Sequence, residues 1–154
     1  MAKFITTNSK QTQKLAEMLA KEIKSAPLQK RAFVVGLEGD LGSGKTTFTQ
    51  GFARGLKIKE KILSPTFVIL KKFKIHKHKL NVKNGHKYFY HFDCYRLESS
   101  KDLTTMGFKE IIKNTENIVL IEWADKIKRA LPKDYLKIKF RWLNKNKREI
   151  KFEA

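Results

Sequence analysis

Acid is scarce in this sequence. Lysine and arginine number 34, aspartate and glutamate only 15, giving a formal charge of +19 and a pI near 10.1. Such a chain is drawn to polyanions, nucleic acid first. Arginine is scarce too: 28 of the basic residues are Lys and six are Arg, spread along the whole chain. A lysine-rich solvated surface gives the same count, and charge without a recognisable binding module is weak ground for direct RNA binding. Cysteine is nearly absent. Cys94 stands alone, so no internal disulfide can form, which fits a reducing, cytoplasmic setting. The three prolines, Pro27, Pro65 and Pro132, are scattered, with no linker and no repeat. The longest apolar runs, such as "NIVLIEWA", are far too short to span a bilayer. No apolar stretch follows Lys3, so no signal peptide is expected.

What is present suits one domain over 1–154 with a real core. Hydrophobic residues make up 41% of the chain, and 11 are Phe. "KFIT" is a short first strand. Ser9 is placed to cap a helix over 10–25, with Leu15, Leu19 and Ile23 on one face, ended by Pro27. "RAFVVGLEG" reads as a buried strand, "GKTTFTQGFARGL" as a helix with Phe48 and Phe52 on one face, and "SPTFVIL" as a further strand. A polar, basic stretch follows, in which Asn84-Gly85 offers a hairpin turn. "YFYHFDCY" is a strand, "SSKDLTTMGFKEII" short helices broken at Gly107, and "NIVLIEWA" a buried strand. "DKIKRAL" gives a helical turn or two, and "YLKIKFRWL" with "REIKFEA" closes the chain as a hairpin. Alternating strands and helices predict an α/β fold: a mostly parallel sheet flanked by helices, with a C-terminal antiparallel hairpin.

"GDLGSGKT", Gly39 to Thr46, satisfies G-x-x-x-x-G-K-[ST], and it sits between an apolar strand and a helical pattern as that motif requires. Gly39, Gly42 and Gly44 let successive N–H groups curl around phosphate oxygens, and the new helix adds its positive N-terminus. Lys45 supplies charge to the β- and γ-phosphates, and the Thr46 hydroxyl is a Mg2+ ligand. Nucleotide contacts are therefore expected along Asp40, Leu41, Gly42, Ser43, Gly44, Lys45, Thr46 and Thr47. The sequence holds no clear guanine signature, which favours ATP over GTP. The bland reading, a glycine turn that binds nothing, fits the flanks poorly.

A P-loop also needs a carboxylate at the end of a neighbouring strand to serve Mg2+ and direct the attacking group. Asp93 ends "YFYHF" and Glu122 ends "IVLIE". Singly, each could be a turn or cap residue. Together they converge on one edge of the sheet beside the P-loop, able to hold Mg2+ and position a water. Which does which stays open here. Trp123 and Trp142 read as core, although Trp123, directly after Glu122, is also placed to stack near the nucleotide. His76 and His78 form an H-x-H without a third ligand and read as solvated. Cys94 reads as a small buried hydrophobe. Ser64-Pro65-Thr66 is either a nucleotide-sensitive switch or the turn before a strand.

In order along the chain, "GDLGSGKTTFTQGFARGL", "SPTF", "YHFDCYRL", "MGFKEII" and "LIEWADK" make the sequence resemble the TsaE family of bacterial P-loop ATPases. The resemblance spans nearly the whole chain. It implies service in threonylcarbamoyl modification of adenosine in tRNA, with ATP and Mg2+ as cofactors. It further implies low ATPase activity alone, and action with TsaD-like and TsaB-like proteins, whose assembly ATP hydrolysis resets. By the same resemblance Thr46, Asp93 and Glu122 form the metal and catalytic set with Lys45. Ser64 and Thr66 lie in a nucleotide-sensitive segment, Trp123 lies near the nucleotide, and the base sits close to Ser9. One departure is the long segment after "SPTF". Its residues 71–87 hold seven Lys, three His and no acid. This is either a basic hairpin reaching tRNA in the complex or a lysine-rich surface loop. A rival class, a small-molecule kinase using the same P-loop, wants an Arg-rich lid that this chain lacks. A plain RNA-binding protein would have no use for intact Lys45, Thr46, Asp93 and Glu122.

Overall fold

The computed structural model describes residues 1–62, 70–76 and 85–154. Seven strands form one sheet: β1 (Ala2–Thr6), β2 (Phe33–Glu38), β3 (Leu70–Lys74), β4 (Tyr88–Asp93), β5 (Asn117–Glu122), β6 (Leu136–Trp142) and β7 (Arg148–Glu153). Their order across the sheet is β1-β7-β6-β2-β5-β4-β3. The inner four, β6, β2, β5 and β4, run parallel. Antiparallel strands finish both sides: β3 on β4, β7 on β6 and β1 on β7. The expected α/β fold with a parallel centre and a C-terminal hairpin is thus the fold observed.

Strand order explains composition. β5, inside the parallel part of the sheet, is buried at every position, as its unbroken apolar run requires when both faces are covered. On one face lie helix α1 (Ser9–Ser25) and helix α2 (Lys45–Gly55), over a core that includes Phe48, Phe52, Leu120 and Phe89. Phe48 meets Phe140 edge-on at 5.4 Å. Burying each such ring is worth about 1.5–3 kcal/mol. The opposite face is covered by two 3-10 segments, Ser100–Met106 and Ala124–Ala130, and helix α3 (Phe108–Lys113). The break expected at Gly107 is there: its φ of 70° ends the first 3-10 segment and starts α3.

Several local expectations are corrected. The cap of α1 is Asn8, not Ser9: extended backbone at Asn8 lets its Oδ1 accept from the Gln11 N–H at 2.8 Å, leaving Ser9 in the first turn. The fully buried stripe of α1 is Thr12, Ala16 and Ala20 with Ile23, while Leu15 and Leu19 are only partly buried. Small residues face inward because α2 comes very close. A Cβ on Gly51 would lie 2.3 Å from the Gln13 carbonyl oxygen, and one on Gly55 2.5 Å from that of Glu17. Of the strand expected at "SPTFVIL", 64–69, with Ser64 and Thr66, lie outside the described residues, as do His78 and Asn84, and Leu70 opens β3. β3, Leu70–Lys74, carries strand structure into the stretch read as polar. Its lysines hide a period-2 pattern in which Phe73 and Ile75 point inward. Trp142 is not core but 56% exposed, because β6 runs on past Phe140, its last covered side chain. Cys94 is buried as expected, and burial pushes its thiol up to about 12. No described helix is long and apolar enough to cross a membrane.

Candidate functional site

The site forms where β2 ends and α2 begins. Gly39, Gly42 and Gly44 all have positive φ, and Gly44, at 105°, occupies the cap position of α2. An L-residue is strained there, and glycine is what permits the loop to turn into the helix. A Cβ on Gly39 would also press on the Phe140 carbonyl at 2.7 Å and the Ser43 hydroxyl at 2.8 Å. Lys45, only 5% exposed, folds back along the loop. Its ammonium donates to the Gly39 carbonyl at 2.5 Å, the Asp40 carbonyl at 2.8 Å and Ser43 Oγ at 3.4 Å. It also lies 3.9 Å over the Trp123 ring. Burial lowers the Lys45 pKa, opposed first by the charge of Glu122 and then by Asp125, Asp40 and Asp93.

The two strand-end acids do come together. Parallel pairing of β4 with β5 sets Asp93 directly beside Glu122. Their surroundings differ. Glu122 is 1% exposed and both its oxygens are engaged: Oε1 accepts from the Thr46 hydroxyl at 2.9 Å, and Oε2 is hydrogen-bonded to His91 Nε2 at 2.8 Å. Asp93 is partly exposed, with Oδ1 accepting from the Tyr95 N–H at 3.1 Å in a local turn. Burial raises the Asp93 pKa above the ordinary carboxylate range, against the pull of that N–H.

A cleft of about 660 Å³ opens over these groups, within the size range of small-molecule sites. Ser9, Leu41, Gly42, Gly44, Lys45, Thr46, Thr47, Asp93 and Trp123 line it, as the sequence leads one to expect. Glu122 lies beneath Thr46 and does not line the cleft. Ser43 is buried under the loop, and Asp40 faces a separate hollow of about 440 Å³ with Glu38 and Asp125. The cleft also gathers residues not singled out from sequence: Asn8, Thr12, Tyr95, Arg96, Lys145, Asn146 and Arg148. Lys145 and Asn146 belong to the β6–β7 turn and Arg148 opens β7; the turn's "NKNK" string reads as an ordinary hairpin turn and carries no signal of its destination. His91 was also missed; standing two residues before Asp93 on the same strand face was the one available hint. A third strand-end acid, Glu38, alternates to the opposite face and is held by the Tyr135 hydroxyl at 3.0 Å. His76 is exposed, and no metal-binding group of three or more His, Cys, Asp or Glu occurs among the described residues.

A glycine loop joining a parallel strand to a helix, with acids at the ends of two neighbouring strands, defines an α/β protein of the P-loop class. The family model described as "Threonylcarbamoyl adenosine biosynthesis protein TsaE" matches residues 6–150, and the chain belongs to the TsaE family. The Bacillus subtilis tRNA threonylcarbamoyladenosine biosynthesis protein TsaE is 36% identical over 152 residues, covering 99% of this chain and 85% of that protein. The protein of the same name from Rickettsia felis is 33% identical over 146 residues, covering 94% and 75%. The fold is similar to the crystal structure of Bacillus YdiB, with a TM-score of 0.72 at 33% identity, covering 99% of this chain and 84% of that one.

Proposed function

We propose that this chain binds ATP with Mg2+ and hydrolyses it slowly, as a subunit of the machinery that places threonylcarbamoyl on adenosine in tRNA. Its partners in this reading are TsaD-like and TsaB-like proteins, with tRNA reached through the complex. The observation that carries the reading is the convergence of Lys45, Thr46 and Asp93 on one cleft, with Glu122 hydrogen-bonded to Thr46 from below. Family membership supports the pathway, since relatives carry the name of that biosynthesis.

The donor set fits Mg2+, a hard cation served by oxygen: a hydroxyl and two carboxylates, two of them already within 2.9 Å of each other. Thr46 would hold the ion, with Glu122 behind it. Bound there, the ion would supply charge neutralisation for the transferred phosphoryl oxygens. Loop N–H groups and Lys45 cradle the phosphates, Lys45 exchanging loop carbonyls for phosphate oxygens. Asp93, the carboxylate that opens on the cleft, orients the attacking water and accepts its proton. Trp123, over Lys45, shields that end of the site from solvent.

The test is twofold. ATP binding and hydrolysis are measured on the purified chain, and the chain is used as bait in lysate with and without ATP. Saturable ATP binding, with ATP-dependent capture of the two modification partners, is expected. Failure to bind ATP sinks the site assignment, and capture of neither partner sinks the place in the assembly.

A further inference from the structure

We infer that His91 is a positioning residue, which holds the Glu122 carboxylate against Thr46 and thereby sets the competence of the Mg2+ site; the inference rests on the ATPase reading above. A carboxylate with 1% exposure has left water behind and needs a partner for each oxygen. Thr46 supplies one on the cleft side. The other comes from His91 Nε2 at 2.8 Å, itself only 3% exposed. These two bonds run to opposite oxygens of one carboxyl group, so together they fix its plane and its rotation.

The backbone builds this arrangement. Asp93 pairs with Glu122 across the β4–β5 ladder, and His91 pairs with Leu120. Side chains two apart on a strand share a face. His91 therefore stands diagonally behind Glu122, on the face under α2, with Asp93 beside it. Of the three, only Asp93 reaches the cleft. Among the described residues His91 does not line the cleft, and its side-chain hydrogen bond runs to Glu122. Replace it with an apolar residue and Oε2 is left buried and unpaired. Glu122 then gains by rotating away from Thr46, and the hydroxyl loses the acceptor that aims it.

His91→Met and His91→Gln are compared, side chains of similar length of which one ends in a donor. His91→Phe is a second non-donor, should the Met variant unfold at the assay temperature. Two quantities are read: kcat and KM for ATP, and the Mg2+ concentration giving half-maximal thermal stabilisation in saturating ATP. The non-donor variants should lose about 10–100-fold in kcat or in apparent Mg2+ affinity, as removing a hydrogen-bond partner of a metal ligand typically does. KM for ATP should change little, and His91→Gln should recover most of the loss. A folded non-donor variant with wild-type kcat and Mg2+ requirement overturns the inference. A Gln variant as impaired as the Met variant also overturns it, because volume and not the bond would then matter. Wild-type protein that neither binds nor hydrolyses ATP overturns the ATPase reading and this inference with it, a result visible before any variant is made.

Discussion

Strands β4 and β5 show two different proteins on their two faces. Toward α2 they present His91, Asp93, Leu120 and Glu122; toward α3 and the 3-10 segments they present Tyr90, Phe92, Val119 and Ile121. The first face carries polar groups, and the bonds of two of them reach other elements or strands. The second is a dry contact in which Phe92 meets Phe108 edge-on at 5.2 Å. One period-2 backbone has been given two tasks, chemistry on one side and cohesion on the other. Substitutions on the two faces should therefore fail in different ways.

The largest separation comes from Lys45→Ala, which should abolish ATP binding while the fold survives; unchanged ATP affinity would break the phosphate assignment. On the dry face, Phe92→Ala should cost about 3–5 kcal/mol of stability, with ATP affinity retained in the folded fraction. Loss of affinity at full stability would erase the distinction between the faces. Glu122→Gln should lower hydrolysis about 100-fold or more, as removal of an electrostatic group does, with ATP binding less affected; full activity would remove Glu122 from the site. A smaller effect tests the frame itself. Gly51→Ala drives a methyl into the Gln13 backbone and should cost about 1–3 kcal/mol. Gly107→Ala meets only the Glu110 carboxylate at 3.7 Å, an ordinary contact, and should cost the left-handed backbone strain, roughly 1–2 kcal/mol. Thermal melts of the pair rank the two.

The smallest effect sets His86 against His91. His86 is buried, and its Nδ1 has no hydrogen-bond partner among the described residues. Burial holds its pKa below the ordinary 6.5, so the unfolded chain takes up that proton more readily than the folded one. Its neutral ring contributes fully above pH 6.5 and the contribution is lost as pH falls below it. His86→Phe should flatten that acid-side decline in melting temperature; an unchanged slope would show that His86 does not drive it.

Much of the protein could be read from the chain because the signals are local. Glycine at positions of positive φ, an apolar strand before it and a helical pattern after it define the P-loop within a short stretch. Unbroken apolarity marks β5 as interior, and Gly107 marks a helix break, since each depends on the residue's own backbone and burial. Asp93 and Glu122 stood out for the same reason, as acids that end apolar runs. Beyond that, tertiary structure decided. That Glu122 lies beneath Thr46 and Asp93 opens on the cleft follows from the sheet's parallel register, which no single segment encodes. The bond from His91 to Glu122 links residues 31 apart through that register. The β6–β7 turn reaches the cleft only because β6 pairs with β2, and the need for glycine at 51 and 55 appears only when α1 is laid against α2. Sequence determines what each segment prefers alone; which groups share one carboxylate is set by distances between segments, and those exist only once the sheet has closed.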